Sequence, residues 1–299
     1  MQLALSFERD SVRALLSPDA TQNGTRAHKQ FAPGSSAGRQ WLDAMELSGE
    51  LCARSAIETA TLQRAVVAFP SPVSGEGTVL DDARMRAWRG FDLARGLREH
   101  LGVGKAFGLS NVESRARFES RFGALQNLES WLFVDIGERI ESWARLNGAD
   151  VRGTHVGAHI IERDGAMDEW GRRGSLNAYC SVEAFEGRAQ SYALGGQTPA
   201  KLFEIASSNF AAQSLCDDFC ARLAQGLSNA VAVLGGVPVC LSGSIVRGAW
   251  PLVWPRLEPA LRSMWPPRAT LSVLRATGDE DAALWGALSS REEHQEPQT

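Results

Sequence analysis

Three stretches of this 299-residue chain carry residue types and spacings able to do chemistry. The first, Asp164–Ser181 (DGAMDEWGRRGSLNAYCS), sets an acidic turn, a Gly171-Arg172-Arg173-Gly174 turn and a helix start at Ser175, Leu176, Asn177 and Ala178 in close succession. Asp168 and Ser175 offer oxygens there, but Trp170 between them has nothing to give a metal, and zinc takes about four N, S or O ligands. The second stretch is Ser110-Asn111-Val112-Glu113. A carboxylate at its centre could take a proton from a hydroxyl; an amide cannot. The third holds His155 and His159 at i and i+4, a spacing that chelates zinc on a helix. Gly157 and the strand-like Ile160-Ile161 make it extended or looped instead, so packing or ligand hydrogen bonding competes with metal binding.

Composition narrows the classes. Hydrophobic content of 44% and charged content of 22% are ordinary for a folded globular protein. A net charge of −4 gives no basic field, so nucleic acid is not an expected partner. No run of about 18 apolar residues predicts a membrane span, and the start MQLALSFERDS lacks the basic opening of a signal peptide. Five cysteines (Cys52, Cys180, Cys216, Cys220, Cys240) are an odd number without framework spacing, which points to a reducing cytoplasm. Cys216 and Cys220 could share a helical face, yet no companion pair accompanies them; buried free thiols are expected. The polar tail Arg291–Thr299 is expected to fray.

The elements that must hold these stretches follow from periodicity. LALSF and VRALL read as strands joined by a turn at Glu8–Ser11, and Thr21–Ser36 reads as a loop. Gln40–Ala60 has helical spacing, Ala65–Phe69 is a short buried strand, and Leu93, Leu97 and Leu101 form one helical stripe. A strand at Ala106–Leu109 leads into a helix from Val112 to Phe122. The second half repeats this order: strands Trp131–Ile136 and Ile140–Leu146, an Asn147-Gly148 hairpin turn, and a helix over Ala212–Leu234. A strand at Val237–Ser242 and a helix over Arg247–Met264, interrupted near Pro251, Pro255 and Pro259, come next. Leu271–Leu274 is a strand, and a helix at Asp281–Ser289 closes the chain. Alternating strands and helices predict an α/β class. Two domains are expected: a smaller one of 1–115 plus the C-terminal helix 281–299, and a larger one of 116–280.

In order and spacing these pieces resemble the ROK family (bacterial repressors, open reading frames and sugar kinases). Ala65–Pro72 with Val73, Gly75 and Val79 is similar to its strand, PG-type loop and hairpin. Gly90–Val103 is similar to its gxdLxxxLxxxLGV helix, and Leu241–Val246 to the GGgv turn that closes over adenosine. Gly278–Leu288 is similar to its terminal helix. Asp164–Ser181 resembles its zinc loop, CxCGxxGC, with Asp168, Trp170 and Ser175 where the three cysteines stand. The resemblance implies an actin-like fold: two ribonuclease-H-like domains flanking a cleft where ATP and a sugar meet.

It also implies roles, position by position. The first phosphate loop, DxGGT, is matched by Ser6, Phe7, Glu8, Arg9 and Asp10. Glycines there admit positive φ and let backbone N–H groups approach phosphate; Glu8 and Asp10 bring carboxylates, as a solvated turn would. The second loop, GtGiGxG, is matched by Gly137, Glu138, Arg139, Ile140 and Glu141, leaving Gly137 and Gly243 as the nucleotide-binding candidates. Asn111 takes the place of the catalytic aspartate of NDxN, and Glu119 that of a later glutamate. Glu113 could substitute as base, although i and i+2 do not share a helix face. The sugar-binding ExGH is matched by His155-Val156-Gly157-Ala158, with His159 in the histidine's role if a one-residue gap is allowed, and a last glutamate is matched by Asn177. Ser110, Asn111, His155 and Asn177 are therefore the ligand-binding candidates, and no metal ligand is expected.

Loss of a general base alone typically slows a reaction by about 10²–10⁴-fold. The expectation is a catalytically silent, cytoplasmic, bacterial homodimer of sugar-kinase-like fold that binds a sugar-like ligand or a protein partner, with zinc lost and no cofactor. The alternatives are an ATP- and Mg-dependent hexose or amino-sugar kinase with divergent motifs, and a regulator without its DNA-binding domain.

Overall fold

The computed structural model describes residues 1–19 and 23–289. The tail Arg291–Thr299 and the start of the expected loop at Thr21 lie outside them. The chain begins β1 (Gln2–Phe7), β2 (Ser11–Ser17), β3 (Thr25–Gln30), α1 (Ala37–Arg54), β4 (Arg64–Phe69), α2 (Leu93–Leu101), β5 (Ala106–Ser110) and α3 (Asn111–Phe122). It continues through β6 (Trp131–Ile136), β7 (Ile140–Leu146), β8 (Ala149–Val151), α4 (Asn177–Cys180), α5 (Val182–Ser191), α6 (Pro199–Ile205) and α7 (Phe210–Leu234). Last come β9 (Val239–Ser242), α8 (Ser244–Met264), β10 (Val273–Arg275) and α9 (Ala282–Leu288). The α/β class expected from the sequence is observed.

Two compact units form, Met1–Gln126 with the described chain from Thr277 onward, and Asn127–Ala276. Arg115, near which the sequence suggests a break, lies inside α3. Each unit has one five-stranded mixed sheet, ordered β3-β2-β1-β4-β5 in the first and β10-β9-β6-β7-β8 in the second. Both follow one plan: an antiparallel meander whose first strand pairs in parallel with a later strand, and that with another.

In the first unit, strand alternation sends Leu3, Leu5 and Phe7 toward α1 and α2, where they pack with Trp41, Leu51, Leu93 and Leu97. The other face presents Ala4, Val66 and Ala68 to Phe118, Leu284, Trp285 and Leu288 of α3 and α9. Those helices cross closely: a Cβ on Gly286 would lie 1.6 Å from the Ser114 carbonyl oxygen. In the second unit α7 buries Leu215, Phe219, Leu223, Leu227 and Val231 against Leu132, Val134 and Leu241. All five cysteines are buried free thiols. Desolvation pushes Cys216 up to about 12, so its thiolate is scarce at neutral pH.

Several expectations need correction. β3 stands where a loop is expected; its sequence, TRAHKQ, is polar because it is an exposed edge strand held by backbone pairing to β2. Helices α5 and α6 have no counterpart in the sequence reading. Helix α8 does break, but at Ala249 (φ −135°, ψ 16°), ahead of the prolines. Pro251 then falls in the first turn of the second segment, where a missing N–H matters least. The Arg247 carbonyl, which residue 251 would otherwise bond, accepts from Arg275 Nη2 at 3.3 Å. Pro251, Pro255 and Pro259 all face solvent, opposite the buried Val253, Leu257 and Leu261. Trp250 and Trp254 stack at 5.1 Å and, half-buried, pack on the core that includes Trp265.

Candidate functional site

The first group of candidate residues sits where β5 passes into α3. Ser110 caps that helix, its Oγ accepting from the Glu113 N–H at 3.2 Å. Asn111, the first helical residue, is 4% exposed. Its Nδ2 donates to the Phe7 carbonyl at 2.8 Å. A carbonyl can only accept, so this contact fixes which side-chain atom is nitrogen. Asn111 Oδ1 is buried and has no donor among the described residues. The Glu113 carboxylate pairs with Arg117 at 2.8 Å, both side chains largely buried. It is committed to that pair and does not replace Asn111 as a base.

Phe7 itself is fully buried among Trp41, Phe69 and Trp88, with ring centroids 5.5–6.0 Å away. The turn after it closes through Glu8 N–H to the Ser11 carbonyl at 2.9 Å. None of Glu8, Arg9, Asp10 or Ser11 takes positive φ. Glu8 faces Arg115 at 3.3 Å. A phosphate seated here would find no glycine backbone to approach. It would also meet a carboxylate, at a repulsion of roughly 1–4 kcal/mol for unit charges about 4 Å apart. The turn lacks the glycine backbone by which the family's loop approaches phosphate.

The second group gathers round the β6–β7 turn. Gly137 donates its N–H to the Arg139 carbonyl at 3.0 Å and takes no left-handed φ. A Cβ there would make only ordinary contacts, the nearest at 3.6 Å, so nothing in its surroundings demands glycine. Arg139 pairs with Glu141 at 3.0 Å. Gly243 is different: φ is +105°, and a Cβ would lie 2.1 Å from the Ile136 carbonyl oxygen, so only glycine fits between β9 and α8. Asn177 is buried, and its Oδ1 accepts from the Ile140 N–H at 2.7 Å. Among the described residues no hydrogen-bond acceptor is seen for its Nδ2. Gly157 packs against Asn177: a Cβ there would sit 2.4 Å from the Ile140 carbonyl oxygen and 2.7 Å from Asn177 Oδ1.

His155 opens the 3₁₀ turn Val156–Ala158 and reaches solvent. Desolvation on its protein side, then the Arg172 charge, hold its imidazole below the usual value. The structure thus joins Gly137, Asn177 and Gly243 about one turn, places His155 nearby in sequence to Gly157, and keeps Ser110 and Asn111 in the other unit. Among the described residues no group of three or more His, Cys, Asp or Glu is placed to hold a metal ion.

The loop between His159 and Asn177 is tied by two side chains. Tyr179 Oη accepts from the Ala166 N–H at 2.7 Å and donates to Glu162 at 2.6 Å. Arg222 lies over the Tyr179 ring at 3.8 Å and bonds Glu162 at 2.7 Å. Asp168, its side chain wholly buried, accepts from the Trp170 and Arg172 N–H groups, from the Arg172 guanidinium and from Ser175 Oγ. Burial alone would raise its pKa; the Ser175 hydroxyl, the two amides and the Arg172 charge outweigh it and hold the carboxyl below the usual range. The sequence offers only a partial signal for this hub, Arg172 four residues after Asp168.

A sequence description of the ROK family matches residues 28–290. The chain belongs to the ROK family. Among curated proteins none matches it. This ROK chain is similar to a ROK hexokinase from Thermus thermophilus: TM-score 0.80, 20% identity, 96% of this chain and 97% of that one covered. It is also similar to a ROK family glucokinase from Streptomyces griseus in complex with glucose and AMPPNP, with TM-score 0.78, 16% identity and coverage of 96% and 97%. A third similar structure is a ROK family transcriptional regulator, a homolog of the E. coli MLC protein, with TM-score 0.82, 15% identity and coverage of 96% and 76%. At such identities the likeness establishes the fold, the actin-like sugar-kinase architecture. Among the described residues no helix is long and apolar enough to cross a membrane.

Proposed function

We propose that this ROK protein binds a sugar-like polyhydroxyl ligand and does not phosphorylate it. The observation that carries the reading is the orientation of Asn111. With Nδ2 held by the Phe7 carbonyl, the position matching the family's general base presents a neutral oxygen acceptor. Such an oxygen can receive a hydroxyl hydrogen bond and cannot remove the proton. Within the second unit, Asn177 offers an amide donor of its own, because its Oδ1 is taken by the Ile140 N–H. The turn of Glu8 and Asp10 adds support from the phosphate side: phosphoryl transfer depends on positioning and on stabilising transferred charge, and this turn has no glycine and no positive φ with which to bring backbone N–H groups to a phosphate. The similar glucokinase holds glucose and AMPPNP, which makes glucose a reasonable first probe and AMPPNP a reasonable control.

A second reading, an ATP-dependent sugar kinase with divergent motifs, has Gly243 in its favour, since the turn similar to the family's adenosine-closing turn keeps a glycine that nothing else could replace. Packing against Ile136 explains that glycine equally well. Calorimetric titration separates the readings. A hexose panel including glucose is expected to give saturable heat, weakened about tenfold in Asn177→Ala for one lost hydrogen bond of about 1.4 kcal/mol. Magnesium-ATP and AMPPNP are expected to give none. Nucleotide binding with no response to any sugar would reverse the assignment.

A further inference from the structure

The resemblance implies a zinc held by three cysteines, and the residues present do not fit it. An indole stands at 170, a hydroxyl at 175 and an alanine at 158 where the sugar-binding motif would place histidine. Asp168 is the one charged ligand type among these positions, and its oxygens are already engaged; His159, next to Ala158, adds a single imidazole, and among the described residues no group of three or more His, Cys, Asp or Glu is placed to hold a metal. Oδ1 accepts from the Trp170 and Arg172 amides, each at 2.9 Å. Oδ2 accepts from Ser175 Oγ at 2.7 Å and from Arg172 at 3.0–3.1 Å. A cation would have to displace this set and would sit against a guanidinium.

We infer that the Asp168 carboxylate is the staple of this loop, doing by hydrogen bonds what a bound metal would do by coordination. The contact from Asp168 to Ser175 joins the same two ends of the loop that thiolates would join. Ser175 Oγ also accepts from the Ala178 N–H at 3.3 Å, which starts the α4 turn. That turn carries Asn177, whose Oδ1 reaches Ile140. One buried carboxylate therefore sets the loop and, through Ser175, the position of Asn177. The surrounding chain is built for that closure: Gly174 (φ +71°) donates to the Ala166 carbonyl at 2.7 Å, and a Cβ on it would lie 1.4 Å from the Glu162 carbonyl oxygen. The inference stands apart from the sugar-binding proposal, because it is read on protein without ligand.

Three measurements test it together. Elemental analysis is expected to find far less than one zinc per chain, and a strong chelator to leave the melting temperature unchanged. Hydrogen exchange resolved by NMR is expected to show the Trp170 and Arg172 amides exchanging at least about tenfold faster in Asp168→Ala, since their acceptor is gone. Asp168→Asn, which keeps one oxygen for those two amides, is expected to restore most of their protection. If Asp168→Ala does not fold, Ser175→Ala serves instead, with faster exchange at Ala178 and little change at Trp170. Stoichiometric zinc with a chelator-lowered melting temperature would overturn the inference. So would unchanged exchange at Trp170 and Arg172 in Asp168→Ala, or at Ala178 in Ser175→Ala.

Discussion

Asn111→Asp is expected to yield no sugar kinase activity and to lower stability by about 1–3 kcal/mol at neutral pH. The amide nitrogen lies 2.8 Å from the Phe7 carbonyl oxygen. Putting a carboxylate oxygen in its place sets acceptor against acceptor in a buried position. The relief available is protonation: a carboxylic acid can donate to the carbonyl, so the folded state would raise the pKa of the new group. The sign follows. Stability relative to the parent is lost above the raised pKa and recovered as pH falls below the unfolded value of about 3.9. Urea midpoints of parent and variant, compared at neutral and acidic pH, check the stability part, and a coupled ADP assay checks the activity part. Phosphorylating activity in this variant at parent-like stability would mean that one atom had been the whole deficit.

Glu119→Leu is expected to be the most damaging single change, costing at least about 3 kcal/mol. Glu119 is 1% exposed. Its Oε1 accepts from the Thr277 N–H at 2.9 Å and the Gly278 N–H at 2.7 Å, and its Oε2 from the Ala124 N–H at 2.8 Å and Thr277 Oγ1 at 3.2 Å. These bonds fasten the segment by which the chain returns to the first unit, just ahead of α9. Leucine would fill the space and leave three backbone donors without acceptors, each worth about 1–3 kcal/mol when buried. Glu119→Gln should fall between, since its NH₂ must face at least one N–H. Chemical denaturation ranks the three proteins. Equal midpoints for the leucine variant and the parent would show that the carboxylate is not a clamp.

What the sequence made legible were the elements whose burial dictates residue type. Helix α7 repeats Leu215, Phe219, Leu223 and Leu227 because one face is core. The hairpin at Asn147-Gly148 takes φ of 51° and 79°, the doubly positive turn that this pair favours. Edge strand β3 was not legible, because pairing with β2 through the backbone leaves no apolar alternation. Helix α5 buries only Phe185 and Ala189, too few to mark a face. Among the site residues, amide in place of carboxylate at Asn111 was plain from the sequence, but its hydrogen bond to Phe7, 104 positions away, was not. Nor was Asp168 as a hub: its partners are amides, a hydroxyl and a guanidinium whose convergence depends on the fold of the loop.

The measurement that bears most directly on the account is phosphorus NMR of the purified protein incubated with magnesium-ATP and the hexose that binds it best. The account predicts that the sugar stays unphosphorylated and ATP stays intact beyond its background hydrolysis. Steady formation of a sugar phosphate in proportion to protein concentration would contradict it.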